Sequence, residues 1–174
     1  MSLLTVQNRP FKPQDSLPSL LVYGVQDDGL TINQFNIHDY AKGAYLLLFF
    51  FPLGLKEDSE EVLKFAKSLK EFQELGCKVV GVTSESPLAI KNWMMKDHES
   101  GGFGQVIGFP MVSDKDLALS MSLGVARGCG VPSRSAFIFD PRGLARYCSA
   151  HKNGIKFNTK ELLREAFKKK TLHI

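Results

Sequence analysis

Cysteine is scarce in this chain. Three occur in 174 residues, Cys77, Cys129 and Cys148, and no two of them form a CxxC pair. An odd number without paired spacing excludes a disulfide framework and a thioredoxin-type redox pair, and it suits a reducing compartment. The four histidines, His38, His98, His151 and His173, show no ligand spacing, so neither a metal site nor a cofactor is expected. Long apolar runs are also missing. The longest, Tyr45 to Phe51, is too short to span a bilayer, so no membrane role is expected. The opening stretch MSLLTVQNRPFKPQDS lacks the apolar core of a signal peptide, and a cytoplasmic location is the expectation. Internal repeats and low-complexity linkers are absent, so residues 1–174 read as a single domain.

Basic charge is present without the aromatic interleaving that single-stranded nucleic acid requires, and no nucleic-acid partner is expected. The formal net charge of +4 is largely local: Lys168, Lys169 and Lys170 follow Lys160 and Arg164 near the C-terminus. That group reads as a cationic last turn that suits the helix dipole. The GGFG stretch at 101–104 has neither a preceding strand nor a following Lys-Ser/Thr, so it reads as a turn and not as a phosphate loop.

The 44% hydrophobic content is that of an ordinary globular chain, and its patterning alternates strand and helix after residue 40. Leu46 to Phe51 is a continuous apolar run, as a strand buried on both faces requires. Val62, Phe65, Ala66, Leu69 and Phe72 then fall at helical spacing. Asp58 with Glu61 reads as the capping box of that helix, and Gly76 as its stop. KVVGV at 78–82 predicts the next buried strand. Ser86-Pro87 opens a helix that turns Ile90, Trp93 and Met94 inward, and Leu117 to Met121 predicts a short one. SAFIFD and LARYCS flank PRG at 141–143 and read as a hairpin. Asn158 and Glu161 cap a final helix over Lys160 to Lys169. The class is α/β, with a central mixed sheet and helices on both faces.

Several of these stretches, taken in order, resemble the peroxiredoxins, and the typical two-cysteine branch best. DYAKGAYLLLFFFPLG, ELGCKVVGVTSES, NWMMKDHESGGFGQVIGFPMVSD and SLGVARGCGVPSRSAFIFDPRG match family segments over roughly residues 18–168. The resemblance implies a thioredoxin-like fold and thiol-dependent reduction of hydroperoxides. It also implies a homodimer, or association with an active relative, through sheet edges or the loops around the active site.

The family's chemistry rests on the motif P-x-x-x-T-x-x-C and a distant arginine. Counted from Pro52, the threonine position holds Lys56 and the position of the peroxidatic cysteine holds Ser59. The chain is also one residue shorter just after Ser59, and the C-terminal V-C-P segment with a resolving cysteine is absent. A laboratory change of one cysteine would not alter the threonine and the local length as well. Only the arginine persists, as Arg134. Its role is open between hydrogen bonds to loop carbonyls, pairing with an acid such as Glu61, and a surviving anion site.

Peroxide reduction needs a thiolate that becomes a sulfenic acid. A serine oxygen cannot take that state, and its hydroxyl is weak without an adjacent base. Glu57, Asp58, Glu60 and Glu61 crowd the same helix start, where they would oppose a thiolate. The expectation is a family member without peroxidase chemistry at Ser59, acting through binding or assembly. The alternative is a peroxidase or redox sensor using another thiol. Cys129 is the best candidate, because Arg127 and Arg134 flank it in a glycine-containing stretch. Cys77 and Cys148 read as structural; GVPSRS around Pro132 is similar to the cis-proline segment of thioredoxins, but a lone Val-Pro does not assign a cis bond, since most X-Pro bonds are trans.

Overall fold

The computed structural model describes residues 15–52, 56–125, 134–151 and 157–171. Its strands are β1 (Leu21–Val25), β2 (Ile32–Asn36), β3 (Tyr45–Phe50), β4 (Cys77–Thr83), β5 (Met111–Ser113), β6 (Arg134–Phe139) and β7 (Ala145–His151). The helices are α1 (Ile37–Ala41), α2 (Lys56–Glu74), α3 (Pro87–Met95), α4 (Ala118–Ser122) and α5 (Thr159–Thr171). A single 3-10 turn, His98–Ser100, follows α3.

All seven strands form one sheet in the order β2-β1-β5-β4-β3-β6-β7. β4 lies parallel to β3 and β5, and the remaining pairs are antiparallel, so the sheet is mixed as the patterning predicts. The apolar run at 45–50 takes the place its composition demands: all six residues of β3 are buried, between β4 and β6. Each such side chain removed from water is worth roughly 1.5–3 kcal/mol, and β3 is therefore the strand around which both layers assemble.

Side chains alternate between faces along each strand. Leu47, Phe49, Val79 and Ile138 meet Val62, Phe65 and Phe72 of α2, Ile90 and Met94 of α3, and Leu162 and Ala166 of α5. Phe49 stacks on Phe65 at 4.0 Å between ring centroids. On the opposite face Leu46, Leu48, Phe50, Val80 and Val82 meet Ile37 and Ala41 of α1, Leu119 of α4 and Leu123 just past its end.

Local signals account for several element ends. Ser86 Oγ accepts from Ala89 N at 3.1 Å ahead of Pro87. Gly76 takes φ +71° one residue past Leu75 and donates to Gln73 O. Asn158 Oδ1 accepts from Glu161 N at 3.2 Å to start α5. The predicted capping box of α2 is not what forms. The helix begins at Lys56, which puts Asp58 inside the first turn, and its carboxylate turns to a partner on β6. Two further boundaries move: Cys148 lies mid-strand in β7, and α5 runs from Thr159 to Thr171. β1 and β2 add an antiparallel pair that the reading from residue 40 onward omits.

Candidate functional site

The C-terminal end of β3 brings two distant stretches together. Phe50 pairs with Ser135 of β6, so the next residue back, Arg134, stands level with the chain as it leaves β3 toward Pro52. Ala136 and Ile138 face α2, and period-2 alternation puts Arg134 on that same face. From α2, the three-residue spacing of Asp58 and Glu61 puts both carboxylates on one side of the first two turns. That side points inward.

The result is a buried charge cluster. Arg134 Nη2 donates to Asp58 Oδ1 at 2.6 Å, and Arg134 Nε donates to Glu61 Oε2 at 2.8 Å. Relative exposures of the three side chains are 12%, 6% and 1% for Arg134, Asp58 and Glu61. Glu61 uses its other oxygen: Oε1 accepts from the backbone N–H of Phe157 at 2.9 Å, just ahead of α5. One carboxylate thus ties together α2, β6 and the entry to α5. Of the roles open for Arg134, pairing with acids is the one observed, with Asp58 beside Glu61.

Ser59 neighbours this cluster and is fully buried. Its Oγ donates to the carbonyl oxygen of Gly101 at 2.5 Å. That carbonyl is presented by the turn after α3, where Gly101 takes φ +93°. Gly102 then passes so close to α3 that a Cβ there would lie 2.2 Å from Lys96 O. Phe103 N donates to Trp93 O and Gly104 N to Lys96 O, which fastens the turn to the helix end. The GGFG stretch is therefore a tight turn, and it reaches back to cover the start of α2. The Ser59 proton is directed at a carbonyl and not at a base.

Pro52 is half-buried at the exit of β3. Lys56 opens α2, but its side chain lies outside the described residues, as do Cys129, Arg127 and Pro132. Cys77 and Cys148 carry free thiols. Burial pushes the Cys77 thiol up to about 12. Burial, with a smaller contribution from Asp15, pushes that of Cys148 up to about 11. Both stay protonated near neutrality, so neither has the thiolate that nucleophilic sulfur chemistry requires. Among the described residues no three His, Cys, Asp or Glu side chains gather as a metal site would need. No helix among them is long and apolar enough to cross a membrane.

Sequence reasoning named Ser59, Pro52 and Arg134, and these do converge on one end of β3. It missed the Gly101 carbonyl and the Phe157 N–H, which are backbone groups without a residue-type signature. It also assigned Asp58 to a cap. The available signal was the i, i+3 spacing of Asp58 and Glu61 on the same side as Val62 and Phe65.

The sequence matches the AhpC/TSA family over residues 15–148. It is 32% identical over 149 residues to a peroxiredoxin-type protein of the rubredoxin operon of Clostridium pasteurianum, covering 84% of this chain and 83% of that one. It is 33% identical over 129 residues to a chloroplastic 2-cysteine peroxiredoxin of Chattonella marina var. antiqua, covering 74% of this chain and 66% of that one. Mycobacterium tuberculosis AhpC has a similar structure, with a TM-score of 0.81 at 22% identity over 95% of this chain and 97% of that one. The mixed seven-stranded sheet flanked by helices is thus that of a peroxiredoxin-type, thioredoxin-like fold, and the chain belongs to the AhpC/TSA family.

Proposed function

We propose that this protein is a peroxiredoxin-family member that does not reduce hydroperoxides at the position of the family nucleophile and acts instead by binding or assembly, as a homodimer or with an active relative. One observation carries the reading. Ser59 is buried with its hydroxyl committed to the Gly101 carbonyl, beside an arginine already paired with two carboxylates. A hydroperoxide would need an accessible thiolate and a free cationic donor in that place, and it would find a capped hydroxyl and a neutralised guanidinium. The scarcity of cysteine suits a reducing compartment, and the cytoplasm is the setting of this reading.

The test is consumption of hydrogen peroxide and an alkyl hydroperoxide with dithiothreitol as reductant, for the wild type beside Cys129→Ser. The expected result is no turnover above the thiol background in either protein. Turnover lost in Cys129→Ser would overturn the reading in favour of a relocated one-cysteine peroxidase. Assembly is read separately by size exclusion with light scattering. A dimer is expected, and a clean monomer at high protein concentration would remove the homodimer from the proposal.

A further inference from the structure

The opposite end of β3 holds a hollow of about 240 Å³, lined by His38, Ala41, Lys42, Pro141, Arg142 and Gly143. It lies between α1 and the β6–β7 turn, which are joined by Gly43 N donating to Pro141 O at 3.2 Å. Three larger hollows on this molecule each include at least one acidic residue in their walls. This one has two cations and an imidazole, and no carboxylate.

Two acids approach side chains of this lining, Asp140 and Asp39, and neither stands in the hollow itself. Asp140 is 1% exposed and accepts from Arg146 Nε at 2.8 Å, from Arg142 N at 2.9 Å and from Leu144 N at 3.0 Å. Burial by itself would raise its pKa, but those hydrogen bonds and the Arg146 guanidinium hold it below the usual carboxylate range. Its charge is therefore balanced by Arg146. The guanidinium of Arg142 stays 69% exposed, with one nitrogen 3.9 Å from Asp140. Asp39 is 77% exposed and meets the His38 ring only at Nδ1, at 3.9 Å. The other ring nitrogen, Nε2, faces Gly143. A Cβ on Gly143 would lie 3.2 Å from it, and the residue has φ +82°. Glycine at this position keeps the floor beneath the imidazole open.

We propose that this hollow binds a tetrahedral oxyanion of the phosphate or sulfate class, free or as the terminal group of a larger molecule. An arginine, a lysine and a histidine together in the lining of one small hollow, with no carboxylate among its walls, match an anion with several acceptor oxygens. The proposal goes beyond the assembly reading and does not depend on it, because the two sites lie at opposite ends of the sheet.

The experiment is a titration of the whole chain with inorganic phosphate, followed by the NMR signals of the His38 ring. Sodium chloride holds the ionic strength and buffer the pH. A saturable shift is expected, and Lys42→Gln with Arg142→Gln should weaken it by about tenfold for each cation removed. Both side chains are exposed, so an unchanged amide spectrum is expected for the double variant elsewhere in the fold. A shift that fails to saturate, that chloride reproduces, or that survives in the double variant overturns the site. A parallel titration with phenyl phosphate distinguishes the sources. Tighter binding of the ester points to a phosphorylated molecule and tighter binding of the inorganic ion to free phosphate; either upholds the site.

Discussion

At the scale of single residues, the cluster around Arg134 makes the sharpest demands. Deleting one partner of a buried ion pair leaves the other charge unpaired in a poorly solvated place. Arg134→Met should therefore cost about 3–5 kcal/mol in urea unfolding. Glu61→Ala strips charge from the guanidinium and the acceptor from Phe157 N–H together. Glu61→Gln keeps an acceptor for that N–H and should cost clearly less; equal losses for the two variants would argue against the tie to α5. Ser59→Cys is the complementary experiment. A thiol there would be enclosed, beside Asp58 and Glu61, with Arg134 already paired to both carboxylates. The variant is expected to show no peroxide turnover, and activity at family-like levels would mean that the pocket opens in solution.

These residues also mark how far the one-dimensional pattern reaches. Counting from Pro52 located Ser59 and Lys56, because a motif is a statement about spacing. It could not show that Asp58 leaves the cap and pairs with a residue 76 positions away. Burial of that pair is decided by which face of α2 meets β6.

At the scale of elements, two glycines separate backbone strain from steric exclusion. Gly76, at the stop of α2, has φ +71° and nothing within 4 Å of an added Cβ. Gly76→Ala should cost only the left-handed conformation, about 1–2 kcal/mol. Gly102 is different in kind. An added Cβ would collide with the Lys96 carbonyl, which is backbone and cannot swing away. Gly102→Ala should therefore displace the turn that carries the Gly101 carbonyl over Ser59, with a larger loss of stability than Gly76→Ala. Hydrogen exchange of Phe103 and Gly104 N–H, both bonded to the end of α3, would report the displacement directly. The turn itself was legible as a Gly-rich break. That it reaches across to cover α2 was not, since the contact runs over 42 residues.

At the scale of the whole molecule, the Cys77 and Cys148 thiols contribute to the alkaline limit, together with Tyr40, Tyr45 and Tyr147, whose hydroxyls burial also pushes up. Cys77 titrates at about 12 and Cys148 at about 11 when folded, against an ordinary value of 9.0. Above pH 9 the unfolded chain loses those protons while the folded chain keeps them. The unfolded state then binds fewer protons, and stability falls as pH rises toward 11–12. Cys77→Ala should flatten this slope in urea midpoints measured from pH 8 to 11, although it removes some packing at every pH. An unchanged slope would mean that the thiol is not sealed. For the same reason both thiols should resist iodoacetamide near neutrality until the protein unfolds.

Residue order alone determined the α/β class, the buried central strand, the Ser86 and Gly76 helix signals, the hairpin at 141–143 and the family. Each of these is carried by local periodicity, by a turn residue with a conformational preference, or by motif spacing. The tertiary structure decided what Arg134 pairs with, where the Ser59 proton points and which cations share the hollow beside α1. These are contacts between residues far apart in the chain. They depend on strand order and on the face each side chain presents, and both follow from packing β3 between two layers of helices.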